Sequence, residues 1–368
     1  MKKMFLIAGA ALAVAASCTK TQIETPDQEI TFQVASYKVT TKADPADYKT
    51  GYENVPFGTY AWYKGVSASD NTTFMTDQKV SYNSGKAAWV PEGTTYYWPK
   101  TGSIDFISYS PFAAPKPTID ESSIAYPSWN VNANPTVDVM YADKAPGQTK
   151  NVSTYNYSGV PTLFHHALAK VSFQIKAAYL EKTADTGDKT RWEITVNSVT
   201  LKDILTTGTF ALTLNADGKT WDHPATWTCA ADKTDLTMDV SALTQLTTAP
   251  QALDANILVI PQPLNASQKV VLNITIKTYR DQNDGNGEKL VLTETNVPVE
   301  AVLSNGTLAN WGVNQNITYT FNLAPSYGTG TGNDLDGDGI EDVVPTEVWF
   351  DPAVVDWENV TVSAGINV

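Results

Sequence analysis

The chain is poor in the residues that build active centres. Its 368 residues include two cysteines and three histidines. There is no H-E-x-x-H, no G-x-S-x-G and no closely spaced cysteine pair, so hydrolase templates find no foothold. His165 and His166 are neighbours on a predicted strand and point to opposite faces, which keeps them from serving one site. Both read as structural, and His223 reads as packed against Trp221 or Trp227. Gly328-Thr329-Gly330-Thr331-Gly332 is no dinucleotide fingerprint, because Asn333 takes the place of the third glycine and no helix follows. Acid pairs such as Glu341/Asp342 are too numerous for one to be singled out as glycosidase carboxylates. Positive charge is also scarce: 25 Lys+Arg against 39 Asp+Glu give a net charge of −14. That balance argues against nucleic acid and anionic membrane surfaces as partners. Long apolar runs are missing, since the one from Met4 to Ala16 is shorter than the ~20 residues a spanning helix needs.

That short run has a different meaning. Met1-Lys2-Lys3 starts it on a positive charge and Ala15-Ala16-Ser17 ends it on small residues, the layout of an export signal. Cys18 follows directly, and the arrangement resembles the lipobox of bacterial lipoproteins, in which that thiol receives a diacylglycerol. The expectation is a signal peptide at 1–17 and a lipid tether at Cys18 to the outer membrane. Removing residues 1–17 takes away Lys2 and Lys3 and no acid, which moves the net charge from −14 to −16. With Cys18 lipidated, Cys229 has no partner, and packing alone must hold the fold.

What the chain has in quantity is alternation. Ile30/Phe32/Val34, Val171/Phe173/Ile175, Trp192/Ile194/Val196 and Phe210/Leu212/Leu214 each place apolar residues at every second position. Val270/Leu272/Ile274/Ile276 and Ile317/Tyr319/Phe321/Leu323 repeat the pattern. Period two is the mark of half-buried strands, and many short strands predict antiparallel β-sandwiches. Asp284-Gly285-Asn286-Gly287 reads as a hairpin tip. A short helix is expected near Ser241–Leu246. Loop-like residues around 143–165 predict a boundary, and Ser326 to Gly332 reads as a Gly/Thr linker.

Several signatures, in order along the chain, resemble the Bacteroidales fimbrillin family of pilin-like lipoproteins. They are Tyr96-Tyr97-Trp98-Pro99, Ile104-Asp105-Phe106, Tyr109-Ser110-Pro111 and Asp138-Val139-Met140-Tyr141-Ala142. Further along come Phe164-His165-His166-Ala167-Leu168-Ala169-Lys170-Val171, Gly208-Thr209-Phe210 and Val259-Ile260-Pro261-Gln262. The resemblance spans roughly 30–325. It implies an all-β chain of two transthyretin-like antiparallel sandwiches, and a pilus subunit rather than an enzyme. The expected layout is a lipidated pro-segment with the first strand at 18–42, sandwiches at 43–160 and 161–325, a Gly/Asp-rich linker loop at 326–345 and a donor-strand tail at 346–368.

The resemblance further implies that a trypsin-like protease cuts after a basic residue beyond the first strand. Lys42 fits first and Lys49 second; the alternative is a permanent first strand. At the other end Val360, Val362, Ala364, Ile366 and Val368 keep one apolar face to the last residue. Such a face suits insertion into a groove, where strand addition takes affinity from main-chain hydrogen bonds and register from alternate side chains. A terminal strand paired within its own domain is the other reading. Between linker and tail, Asp334, Asp336, Asp338 and Asp342, with Ile340 through its carbonyl, have the spacing of a Ca²⁺ loop, although Pro345 at the twelfth position departs from the EF-hand pattern. A solvated acidic linker is the plainer reading, and no cofactor is required.

The expected function is that of a fimbrial subunit at the cell surface, polymerised head to tail with other fimbrial subunits. A fimbrial tip or accessory adhesin, or a surface glycan-binding lipoprotein, are the alternatives. For the last, Trp62, Trp89 and Trp129 are candidate sugar-stacking residues that otherwise belong to the core.

Overall fold

The computed structural model describes residues 28–36, 55–86, 88–113, 115–150, 159–184, 187–223, 225–240, 245–282, 284–304, 308–325 and 345–356. The period-two runs become strands throughout. The first half holds β1 (Phe32–Ser36), β2 (Phe57–Lys64), β3 (Thr72–Asn83), β4 (Ala88–Pro91), β5 (Ser103–Ser110), β6 (Thr118–Asp120), β7 (Ser123–Asn130), β8 (Met140–Ala142), β9 (Ala145–Gln148) and β10 (Val160–His166). The second half holds β11 (Ala169–Ala177), β12 (Glu181–Thr183), β13 (Lys189–Leu205), β14 (Thr207–Thr213), β15 (Thr226–Cys229), β16 (Lys233–Asp239), β17 (Gln251–Val259), β18 (Gln262–Pro263), β19 (Lys269–Asp281), β20 (Lys289–Val302), β21 (Asn310–Trp311), β22 (Gln315–Pro325) and β23 (Pro345–Asp356). Helix among the described residues is one 3-10 turn, Ala68–Asp70. No helix there is long and apolar enough to cross a membrane.

Strands of the first half form one sheet in the order β2-β3-β4-β1-β10-β8-β5-β9. β2 also pairs with β5 from Gly58 to Lys64, so the ladder closes on itself. Inside lie Phe32, Phe57, Ile104, Phe106, Val160 and Phe164, all buried. Residues one step out of phase face the other way: Trp62 beside Ala61, Ile107 beside Phe106 and Tyr141 beside Met140 belong to a second apolar cluster. A second sheet, β15-β14-β7-β6, covers that cluster with Ile124, Tyr126, Trp129, Phe210 and Leu212.

The second lobe is a sandwich. Sheet β17-β11-β22-β23 faces sheet β12-β13-β19-β20, with β16 on the edge of β13. Val171, Phe173, Ile175, Trp192, Ile194 and Phe321 fill the space between. Phe173 stacks on both Tyr319 and Phe321, at 5.9 and 6.0 Å between ring centroids. β19 and β20 are antiparallel neighbours flanking the Asp284–Gly287 tip, as their sequence predicts. Of the helix expected near Ser241–Leu246, residues 241–244 lie outside the described residues.

The all-β class expected from the sequence holds, and the domain boundaries move. The expected break at 160/161 falls at the start of β10, which pairs with β1 and β8 and so belongs to the first lobe. The changeover is at Ala167-Leu168, between β10 and β11. The halves also share a sheet, because β14 and β15 of the second half complete one begun by β6 and β7 of the first. The physical reason is coverage. β6 and β7 alone are too narrow to bury Trp62, Ile107 and Tyr141, and the 207–229 excursion supplies the missing strands and the apolar side chains on them.

Both lobes share one arrangement. The first strand runs parallel to the last and antiparallel to an internal strand: β1 with β10 and β4, and β11 with β22 and β17. The last strand then carries an antiparallel neighbour on its far side, β8 on β10 and β23 on β22.

Candidate strand-exchange groove

β1 occupies a seat that other parts of the chain define. Its parallel ladder with β10 runs from Phe32↔Val160 to Ser36↔Phe164, while against β4 it makes the single pair Phe32↔Trp89. Ile30, Phe32 and Val34 are 0, 2 and 5% exposed. The ring of Phe32 meets the edges of Phe57 and Phe106, each at 5.6 Å. The backbone leading into β1 is docked as well: Ile30 N donates to Tyr96 O at 2.8 Å, and Trp98 N donates to Gln28 O at 3.0 Å. The aromatic-proline signature at 96–99 is thus the clamp on the incoming strand. Gly159 closes the seat from the β10 side. Its φ is +138°, and a Cβ there would meet Thr31 O at 3.1 Å and Gln33 N at 3.2 Å.

β1 also differs from its counterpart β11. β11 is continuous with β10, whereas β1 joins the rest of the described chain only through the connection to β2. Lys42 and Lys49 both fall in that connection, between Ser36 and Phe57. One cut at either leaves β1 held by packing and hydrogen bonds alone. Burial of three apolar side chains, at about 1.5–3 kcal/mol each, is comparable with the net stability of a whole domain, about 5–15 kcal/mol.

The expected tail is divided. Residues 345–356 form β23, antiparallel to β22, in the chain's own sheet. The open edge of β22 accounts for this, since unpaired strand edges seek a partner. Asp356 lies opposite Gln315, and Asn316 opposite Lys170, so β23 ends at the junction of the two lobes. Val360, Val362, Ala364, Ile366 and Val368 lie outside the described residues, as do Cys18, Lys42, Lys49 and the loop with Asp334, Asp336, Asp338, Ile340 and Asp342. Trp62, Trp89 and Trp129 are all core residues, at 8, 7 and 1% exposure. None of them presents a face to a sugar.

The histidines behave differently from the sequence expectation in one respect. His165 and His166 do point apart, and His166 Nδ1 lies 2.7 Å from Asp138 Oδ2. His223, for which the sequence offered only its tryptophan neighbours, lies beside His165 and Asp143. His165 Nε2 is 2.9 Å from Asp143 Oδ1, and His223 Nε2 is 3.9 Å from the same oxygen. Eighty positions separate these residues in part, and no local pattern in the sequence connects them.

The chain is all-β, and its first described strand completes a lobe between β10 and β4. It belongs to the fimbrillin-like family, whose family model matches residues 25–333. No curated protein matches it. Similar solved structures include a protein of Bacteroides uniformis assigned to cell adhesion, 14% identical, covering 91% of this chain and 100% of that one with a TM-score of 0.47. Another, assigned to cell adhesion in Bacteroides ovatus, is 16% identical over 88% of this chain and 98% of its own, with a TM-score of 0.43. The fimbrial anchor protein Mfa2 of Porphyromonas gingivalis is 10% identical over 89 and 99% of the two chains, with a TM-score of 0.25.

Proposed function

We propose that this protein is a structural subunit of a cell-surface fimbria, exported as a lipoprotein through Cys18 and polymerised by strand exchange. Membership of the fimbrillin-like family supports the fimbrial role. The observation that carries the mechanism is the seat of β1: a buried terminal strand held by one long parallel ladder and a single pair on its other side. Cleavage after Lys42, or after Lys49, frees that strand together with its lipid. Residues 357–368 of a neighbouring copy, presented by β23, then fill the seat with the same period-two apolar face. The donor edge and the acceptor groove are different surfaces, so the contact is heterologous and propagates as an open filament. The role is structural rather than catalytic, and the partners are other fimbrial subunits.

Deleting residues 357–368 tests this. The shortened chain is expected to fold, be exported and be cleaved, yet to give no high-molecular-weight ladder on mild denaturing gels. A ladder of unchanged length would rule the mechanism out. The acidic loop belongs to the same proposal as a Ca²⁺ site that stiffens the approach to β23, and titration calorimetry showing no heat at millimolar Ca²⁺ would remove it. The burial of Trp62, Trp89 and Trp129 weighs against the glycan-binding alternative.

A further inference from the structure

Three side chains from distant parts of the sequence converge where the 207–229 excursion meets the barrel. Asp143 follows β8, and its backbone N donates to Leu163 O at 2.9 Å. His165 stands on β10, paired across the ladder with Tyr141 of β8. His223 belongs to the excursion and is placed by its neighbours: Trp221 is buried and its Nε1 donates to Ala142 O at 2.9 Å, while Asp222 N donates to Thr213 O at 2.8 Å. One ligand atom from each residue of the trio lies within 4.8 Å of the others.

We propose that Asp143, His165 and His223 bind one first-row divalent metal ion of the zinc class, which fastens the excursion to the first lobe. The donor set is chemically specific. Two imidazoles and one carboxylate suit Zn²⁺ and its neighbours, whereas Ca²⁺ and Mg²⁺ call for oxygen. Metal–ligand bonds of about 2.0–2.1 Å place tetrahedral ligands about 3.3 Å apart. The distances of 2.9 and 3.9 Å from Asp143 Oδ1 to the two imidazole nitrogens bracket that value. Both imidazoles present Nε2 to the carboxylate, and their ring centroids are 5.5 Å apart.

The surroundings serve such a site. Tyr141 is buried, stacks on His165 at 5.3 Å, and its hydroxyl lies 3.4 Å from His223 Nδ1. An outer partner of this kind fixes the orientation of a metal-binding imidazole. The side chains of Asp143 and His223 are 42 and 43% exposed, which leaves solvent access for an ion and for a fourth, water ligand.

The test is titration of the full chain with Zn²⁺ in the presence of millimolar Ca²⁺, which occupies oxygen-only sites. One equivalent is expected to bind, and H223Q is expected to weaken binding by about tenfold or more. His223 sits on an exposed turn, so this variant should keep the native circular dichroism. Co²⁺ gives a second readout on the unaltered chain, should H223Q fail to fold. Intense visible bands of a four-coordinate site support the proposal, and the weak bands of octahedral aqua-cobalt overturn it. Absence of Zn²⁺ uptake by the unaltered chain also overturns it, as does uptake that H223Q leaves unchanged; in either case the trio is a hydrogen-bonded cluster only.

Discussion

Phe32 concentrates the behaviour of the groove in one side chain. It is buried against the edges of Phe57 and Phe106, on a strand that also buries Val34. Truncating a buried phenylalanine costs about 3–5 kcal/mol. F32A is therefore expected to lower the urea stability of the uncut protein by about that amount. Fibres built by strand exchange have discarded Phe32, so their stability should be unchanged once assembled; equal losses in both forms would contradict exchange. Gly159 gives a second prediction. Valine there is strained at φ +138° and its Cβ presses on the backbone of Thr31 and Gln33. G159V is expected to loosen β1, seen as faster hydrogen exchange at residues 32–36 than in the parent, with the β11–β22 ladder unaffected. Of these two residues the sequence made Phe32 legible through its alternation with Ile30 and Val34. Gly159 was not, because what it touches is a strand more than a hundred positions away.

At the scale of elements, β1 opens the first lobe, whereas its counterpart β11 follows directly on β10. Substituting both candidate cleavage residues, K42A with K49A, is expected to keep the pro-segment attached. Mass spectrometry of the surface protein should then show a lipidated N-terminus and no polymer; normal processing would place the cut elsewhere. Strand existence was readable where period two is strong, as in β11, β13, β19 and β22; most of β10 was missed, because residues 143–165 read as loop-like, although its burial alternates without a break. Strand partnership was not readable. The pairing of residues 345–356 with β22 follows from an open sheet edge, which is a property of the assembled lobe and leaves no trace in the local sequence.

For the whole molecule, the excursion is the feature that matters most. Phe210, Leu212 and Trp221 from the second half complete the cluster around Trp62, Ile107, Trp129 and Tyr141 of the first. Lys144, almost fully buried, adds polar ties across the same boundary: its Nζ lies 3.4 Å from Asp105 Oδ2 and donates to Gly218 O at 3.2 Å. A fragment ending at His166 is therefore expected to be insoluble or to lack near-ultraviolet circular dichroism, and the intact chain to melt in one transition. Two well-separated transitions, one reproduced by the fragment, would show that the lobes are independent.

The sequence by itself determined the class of structure. Alternation fixes strands, scarce cysteine and histidine remove most chemistry, and the ordered aromatic signatures mark the family. It also located the first strand, because apolar period two at Ile30, Phe32 and Val34 is a local property. The tertiary structure decided what local properties cannot carry: that 207–229 crosses over to roof the first lobe, that 345–356 pairs at home, and that His223 meets His165 and Asp143. Each depends on which surfaces remain uncovered once the sheets have closed. That is a condition of the packed molecule as a whole, and no window of sequence contains it.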